Sequence, residues 1–317
     1  MITTNDMRRF ILYTTLGALL GAMLLACGRQ KTEEGNTLQV VLLRGPSAIA
    51  LANWLEHPPR IDGRQVEARI LDSPDLAQAA LIKGAAQVAL LPMVSAANLY
   101  NKGLAIHLAG CPVWGTLYLV ERETVANPAL FLFGQGTTPD LLARHHLRER
   151  GLDYPVSYLF RTAGEVARGL LAGKVDRAVL SEPFLSVALR RDSTLRIVAD
   201  LNRTGNADSI GFPQTAIVYT PTLERANPAL ERELAAACAY ADQHPDSLIR
   251  LMEAHGLFPK GALDKGSIER CRIRFLPAST IQSSVNDFLR LIEREEPKAI
   301  GGRLPDTGFF HSTHPAP

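Results

Sequence analysis

The chain has 317 residues, 46% of them hydrophobic, and its 34 Lys and Arg residues nearly balance 32 Asp and Glu residues. This length is sufficient for one large core or for two lobes. The near-neutral charge, without a clustered basic stretch, excludes the electrostatic footprint of a nucleic-acid-binding protein, so we expect no nucleic acid among the partners.

The amino terminus has the features of an export signal. Arg8 and Arg9 precede an apolar run over residues 10–26, which ends in Leu-Leu-Ala before Cys27. A positive start, an apolar run and small residues before a cleavage site describe a secretory signal, and Leu-Leu-Ala-Cys resembles a bacterial lipobox. We therefore expect a lipoprotein signal peptide at 1–26, lipid on Cys27 and a flexible linker over 27–37. An uncleaved anchor helix is the alternative; either way the rest of the chain is expected to work outside the cytoplasm.

In the next part of the chain, short apolar runs alternate with helical runs. We expect strands at 38–43, 66–71 and 87–92, and helices at 50–55, 73–84 and 95–103. The second helix has clear boundary signals, because Ser73 can cap its first turn, Pro74 suits the first helical position and Gly84 can close it.

The same order recurs further along. We expect strands at 129–133, 155–160 and 175–181, and helices that begin at Thr138 and at Thr162, the second with a Thr-x-x-Glu capping box. Alternating strands and helices indicate parallel sheets covered on both faces. The β-rich segments 104–122 and 211–221 can cross between the two units, and the helices within 228–256 and 280–296 are expected to pack on the first unit.

The sequence thus predicts an α/β protein with two lobes and a ligand cleft between two parallel-rich sheets joined by two hinge strands. Lobe 1 is predicted to comprise residues 38–117 and 216–317, and lobe 2 residues 118–215.

Ligands of open parallel sheets bind beyond the carboxyl ends of the strands. The candidate ligand residues lie in the turns at those ends or on the crossing segments, and they are Arg44, Gly45, Ser47, Ser73, Met93, Ser95, Trp114, Gln135, Thr137, Thr138, Glu182 and Gln214.

Three of these candidates have an alternative role. Arg44 either binds a carboxylate or sulfonate with its guanidinium fork or points into solvent. Trp114 either stacks on a planar ligand or belongs to the core. Glu182 either faces a cationic group or braces its turn, so the charge of the solute stays open.

The order of these elements resembles the solute-binding proteins of ABC transporters. The resemblance rests on the Gly-Pro-Ser turn after the first strand, on GLLAGKVDRAVLSEP in the second unit and on the closing IGGRLPDTGFFH. The group that it resembles includes binders of alkanesulfonates, taurine, nitrate and thiamine-pyrimidine precursors. The resemblance implies a type II periplasmic-binding fold that closes around a small solute and delivers it to a permease, and Glu182 matches the acidic residue of the family's Glu-Pro motif.

Catalytic and cofactor motifs are missing from the sequence: there is no Gly-x-Ser-x-Gly, no His-Glu-x-x-His and no phosphate-binding loop. We therefore predict a non-enzyme without a cofactor or metal, although an enzyme on the same fold and a protein that presents its ligand to a sensor remain alternatives. His145 and His146 are expected to be solvated. The predicted partners are a small solute, the permease subunits and, through lipid, the membrane; the chain is expected to be a monomer. If Cys111, Cys238 and Cys271 form any disulfide, Cys238 with Cys271 is the more plausible pair.

Overall fold

The computed structural model describes residues 36–203 and 210–310, so the predicted signal peptide, Cys27 and most of the linker lie outside the described residues. The strands are β1 (Thr37–Leu43), β2 (Arg60–Ile61), β3 (Arg64–Leu71), β4 (Val88–Pro92), β5 (His107–Val113), β6 (Leu117–Arg122), β7 (Leu130–Phe131), β8 (Val156–Ser157), β9 (Arg177–Ser181), β10 (Leu195–Asp200), β11 (Thr215–Tyr219) and β12 (Ile273–Pro277).

The α-helices are α1 (Pro46–Ala50), α2 (Pro74–Ile82), α3 (Met93–Asn101), α4 (Thr138–Arg150), α5 (Ala163–Leu171), α6 (Phe184–Arg191), α7 (Asn227–Gln243), α8 (Pro245–Ala254), α9 (Lys265–Cys271) and α10 (Ala278–Glu295). Short 3₁₀ helices lie at Ala52–Leu55, Pro221–Ala226, Pro297–Ile300 and Thr307–Phe309. Among the described residues, no helix combines the length and the apolar character needed to cross a bilayer.

The strands form two mixed sheets. The first has the order β12-β5-β11-β4-β1-β3-β2 and the second has the order β10-β6-β9-β7-β8. In both sheets, three parallel strands (β3-β1-β4 and β8-β7-β9) are followed by an antiparallel strand, β11 or β6, that arrives from the other unit. The predicted repeat of one α/β unit is therefore confirmed.

Local sequence signals account for the helix ends. The Ser73 hydroxyl accepts a hydrogen bond from the backbone N–H of Leu76 at 3.4 Å, and Pro74 begins α2. At α5, Thr162 and Glu165 form the predicted capping box. Satisfying the free N–H groups of a first turn in this way fixes where each helix begins.

The hydrophobic core covers both faces of the first sheet. On one face, α2, α3 and α10 contribute to a cluster that also includes residues of α4, such as Leu141 and Leu142. On the other face, α1, α7 and α8 pack over the same strands. The expected packing of the later helices on the first unit is confirmed, and α4 additionally brings the second unit against α10.

The sequence did not predict some elements, and two predicted strands are longer than those in the structure. The strands predicted at 129–133 and 155–160 shrink to Leu130–Phe131 and Val156–Ser157, while α9, β10 and β12 were not predicted. Both β10 and β12 are edge strands. In β10, the apolar residues Ile197 and Val198 are both exposed, so the strand lacks an alternating pattern, and in β12 the alternation covers only residues 273–275, which is too short to predict a strand.

The cysteine pairing considered above is wrong. Cys111, Cys238 and Cys271 are all buried free thiols. The Cys238 thiol lies near Cys111, and burial together with this neighbour raises its pKa, whereas Cys271 at the end of α9 lies near Glu182. Both cysteines belong to the same hydrophobic cluster over the first sheet, but each has its own neighbours there.

Two connections join the sheets, and a buried amide ties them together. Residues 114–116 link β5 to β6, and 201–214 link β10 to β11. Asn202 is fully buried; its Oδ1 accepts from the backbone N–H groups of Thr116 (2.8 Å) and Leu117 (2.9 Å) and from Gln214 Nε2 (2.7 Å). The Thr116 hydroxyl in turn donates to Gln214 Oε1 at 2.9 Å. One side chain thus fixes both connections relative to each other.

We expect Asn202→Ala to lower the free energy of unfolding by about 3 kcal/mol, because it leaves several buried donors without an acceptor. Urea unfolding followed by circular dichroism measures this loss. The matched control is Asn127→Ala, since the side chain of the partly exposed Asn127 only accepts from the backbone N–H of Ala129 within one turn, and a loss below about 1 kcal/mol is expected. Equal losses for the two variants would contradict the role given to Asn202.

Candidate functional site

The predicted ligand residues gather at one edge of each sheet. Leu43 of β1 lies beside Leu71 of β3, and Val41 lies beside Ala89 of β4, so the three parallel strands of the first sheet end together. The second sheet repeats this arrangement, because Phe131 of β7 pairs with both β8 and β9. Both connections leave from these same edges: β6 starts opposite the end of β9, and β11 starts opposite the end of β4. The two carboxyl edges therefore adjoin at the crossing.

At the edge of the first sheet, the turn after β1 presents backbone and a hydroxyl. Gly45 has a φ of 125°, which favours glycine, and a Cβ built there would meet no heavy atom within 4 Å. Ser47 is 6% exposed and its hydroxyl has no hydrogen-bond partner among the described residues. This turn thus combines open space in front of the backbone with a hydroxyl that forms no hydrogen bond within the described residues.

The charged and capping groups beside that turn are already occupied. Arg44 Nε donates to Asp72 Oδ1 at 2.6 Å, and Arg44 Nη1 donates to the carbonyl of Leu257 at 2.9 Å. Ser73 caps α2, as described above. An anion at this edge would therefore compete with Asp72 for the Arg44 fork.

The first turn of α3 supplies Met93 and Ser95. The Met93 side chain is fully buried, and its backbone N–H donates to the carbonyl of Gln214 at 2.9 Å. Ser95 is partly exposed, and no hydrogen bond of its side chain is found in the described ranges. This helix begins after Pro92 without a side-chain cap, so its first N–H groups have no local side-chain acceptor.

In the second sheet, the turn at 134–138 is held by Asp140, which we did not select from the sequence. Asp140 is 1% exposed; it accepts from the backbone N–H of Gly136 at 2.8 Å and from the Tyr158 hydroxyl at 2.6 Å. Burial, together with the hydrogen bond to Asp140, raises the pKa of Tyr158 to about 12. Because Thr-Pro-Asp is also an ordinary helix start, the sequence signal for Asp140 pointed only to the start of α4.

The predicted residues of that turn differ in accessibility. Gln135 and Thr137 are exposed, and the Thr137 hydroxyl donates to the carbonyl of Gly134 at 2.5 Å. Thr138 is 8% exposed, and its hydroxyl has no partner among the described residues. Thr215, a residue of β11 that we also did not select, is a third buried residue at these edges whose hydroxyl has no partner in the described ranges.

Glu182 contacts protein groups. It is 1% exposed, its Oε1 lies 2.5 Å from Arg270 Nε, and its Oε2 accepts from the backbone N–H of Ser186 at 3.2 Å. Burial raises the pKa of Glu182, and the Arg270 guanidinium opposes that shift. These contacts agree with the turn-bracing alternative.

Trp114 and Gln214 lie in the connections between the sheets. Trp114 is 1% exposed and its indole Nε1 donates to the carbonyl of Arg274 at 2.8 Å, which agrees with the core alternative. Gln214 uses both polar atoms of its side chain in the contacts with Thr116 and Asn202.

The expectation that His145 and His146 are solvated is wrong. Both are partly buried, and burial lowers the pKa of each. For His145 the cause is the packing of α4 on α10, where its Nδ1 lies 3.5 Å from Glu295 Oε1.

Two grooves of about 490 Å³ each lie outside the predicted site. One runs between α4 and α10 beside Phe212 and Phe288, and the other lies between α7 and β12 beside Cys238 and Phe275. Neither groove is lined by a predicted ligand residue. Within residues 36–203 and 210–310, no group of three His, Cys, Asp or Glu side chains is arranged to hold a metal ion.

The fold and much of the sequence match solved structures. The crystal structure of an ABC transporter from Parabacteroides distasonis is 57% identical over 88% of this chain and 100% of that chain, with a TM-score of 0.86. The periplasmic aliphatic sulphonate binding protein SsuA from Escherichia coli is 15% identical over 86% of this chain and 92% of its own, with a TM-score of 0.64.

The alkanesulfonate-binding protein SsuA from Xanthomonas axonopodis pv. citri, solved bound to MOPS, is 16% identical over 87% of this chain and 96% of its own, with a TM-score of 0.62. No protein-family model and no curated protein sequence matches the chain. The two SsuA proteins share the fold, and the Parabacteroides protein shares most of the sequence as well. The chain therefore belongs to the periplasmic solute-binding proteins of ABC transporters.

Proposed function

We propose that this protein is the extracytoplasmic, lipid-anchored solute-binding component of an ABC importer. It closes lobe 1 (38–117 and 216–317) and lobe 2 (118–215) around a small polar or heterocyclic solute and delivers the solute to a permease. The observation that supports this most strongly is the meeting of two carboxyl edges at two connections, in a chain 57% identical to an ABC transporter protein. Export and the lipid on Cys27 rest on the amino-terminal sequence alone, and the protein acts as a monomer without catalysis.

We assign the solute to the space between the turn at 45–47 and the turn at 134–138. Ser47 and Thr138 support this assignment, because the hydroxyls of these largely buried residues form no hydrogen bond within the described residues and neither is a fully buried atom, so each is available to a solute oxygen or N–H. The start of α4 adds a positive helix end without a side-chain cap, which favours a solute with electron-rich oxygens.

The charged residues at the two edges are less suited to direct contact. Arg44 is paired with Asp72, and Glu182 is paired with Arg270. Each would have to leave its partner before it could bind a charged solute. We therefore propose that neutral donors, namely hydroxyls and backbone N–H groups, carry most of the recognition.

The first test uses the soluble chain that starts at Gly28, purified without unfolding. Denaturation, extraction and mass spectrometry identify a carried solute, and thermal shift then tests candidate solutes. A solute at about one hundred times its dissociation constant stabilises the native state by about 2.7 kcal/mol. We expect one small solute to raise the melting temperature and to emerge chemically unchanged. Conversion of the solute would favour an enzyme, and the absence of any binder would contradict the cleft.

Ser47→Ala and Thr138→Val test the placement of the solute. We expect each to weaken solute affinity about fivefold, because each removes one hydrogen bond worth about 1 kcal/mol. Isothermal titration calorimetry with the identified solute measures the change. Ser193→Ala, at an exposed position away from both edges, should leave affinity unchanged. Wild-type affinity in both site variants would exclude these turns as the binding site.

A further inference from the structure

Helix α9 belongs to the unit of the first sheet by its position in the chain, but it contacts the unit of the second sheet. It follows α8, which packs on the first sheet, and leads directly into β12 of that sheet. Ile268 and Cys271 are 4% and 0% exposed and belong to the core over the first sheet. The apolar side of α9 is therefore anchored in lobe 1.

The polar side chains of α9 bind the turn and helix that follow β9 of the second sheet. Arg270 Nε lies 2.5 Å from Glu182 Oε1, and Arg270 Nη2 donates to Ser186 Oγ at 2.5 Å. Ser186 Oγ is also 2.6 Å from Ser267 Oγ. Glu182, Ser186 and Ser267 are each no more than 1% exposed, whereas the Arg270 side chain is 25% exposed, so the Glu182 side of this contact is the part shielded from water.

Further contacts extend the same attachment. Arg190 of α6 donates to Asp264 Oδ2 at 2.5 Å, at the residue that caps α9. The hydroxyl of Tyr118, in β6, donates to the carbonyl of Arg270 at 2.8 Å. Directly after α9, Arg272 forms an ion pair with Asp200 of β10. The segment 264–272 is thus bound to three elements of the second sheet's unit.

We propose that α9 is a latch between the lobes, in which Arg270 is the positioning residue: it holds Glu182 and Ser186, and its release is required before the lobes separate. This inference rests on the lobe closure proposed above. It gives Glu182, the acidic residue of the Glu-Pro turn, a partner in the other lobe instead of a place in the solute site.

Electrostatics indicate what the loss of Arg270 would do. A buried carboxylate is tolerated when a cation and hydrogen bonds compensate it, and removing the cation alone leaves an uncompensated buried charge. Separation of the lobes returns Glu182 to water, so a chain without Arg270 is expected to favour the open arrangement. Removing the carboxylate charge as well should abolish that preference. A helix with a purely structural role would not show this dependence on Glu182.

Pulsed electron paramagnetic resonance can measure the lobe separation. Lys83→Cys at the end of α2 and Lys174→Cys after α5 place spin labels at exposed positions on the two lobes, whereas Cys111, Cys238 and Cys271 are buried. In the labelled soluble chain that starts at Gly28 and so lacks Cys27, we expect Arg270→Met to increase the ratio of long to short distances at least about tenfold. We expect Glu182→Gln combined with Arg270→Met to return the ratio toward that of the parent chain.

Arg232→Met is the matched control, because Arg232 is exposed on α7 and only donates to the carbonyl of Pro228 at 3.2 Å. It should leave the distances unchanged. An unchanged distribution in Arg270→Met, or a double variant as open as the single one, would overturn the latch. If Arg270→Met does not fold, the same distances are measured in Ser267→Ala. This variant should also favour the open arrangement, but to a smaller extent, and unchanged distances in it would overturn the latch.

Addition of the identified solute to the labelled parent chain separates this inference from the proposed function. If the solute does not change the distances in the parent chain but Arg270→Met opens, the result contradicts closure around a solute and supports the latch. A parent chain that closes on solute, with an Arg270→Met chain that does not open, would contradict the latch alone.

Discussion

The placement of the two sheets relative to each other depends on the hydrogen bonds between the two chain segments that connect them. Residues 114–116 and 201–214 join the two sheets, and Asn202 accepts hydrogen bonds from the first connection and from Gln214 in the second. A buried amide that satisfies several backbone and side-chain groups at once specifies one geometry, because any other arrangement leaves those groups unpaired. The carboxyl edges of both sheets are therefore brought to the same place, and the predicted ligand turns come with them.

The charged side chains at these edges bind other side chains of the protein. Arg44 pairs with Asp72, Glu182 with Arg270, and Asp140 with Arg144 and Tyr158. The carboxylates of Glu182 and Asp140 are buried, so removing a partner of either costs far more than the pair itself contributes, whereas Arg44–Asp72 is an exposed pair that contributes little. At the site that we propose, a solute would meet mainly neutral donors on short turns, and such a site would orient a small molecule by hydrogen bonds more than by net charge.

Features that depend on neighbouring residues were predictable from the sequence. The cap at Ser73, the capping box at Thr162 and the repeated order of strands and helices were all correct, because each is determined within one turn or one strand. The partner of Glu182 lies 88 residues away, and nothing in the local sequence distinguishes Arg270 from the other arginines. The role of Asn202 could not be predicted for the same reason, since its backbone partners at Thr116 and Leu117 lie in a distant segment of the sequence. His145 of α4 was misjudged because its burial is caused by α10, a helix that lies far from it in the sequence.

A crystal structure of the mature chain with the solute that it carries would test the central claim most directly. We predict electron density for the solute between the turn at 45–47 and the turn at 134–138, with hydrogen bonds to Ser47 and Thr138 and with the Glu182–Arg270 pair intact. Density in the groove between α4 and α10, with both turns empty, would contradict the account.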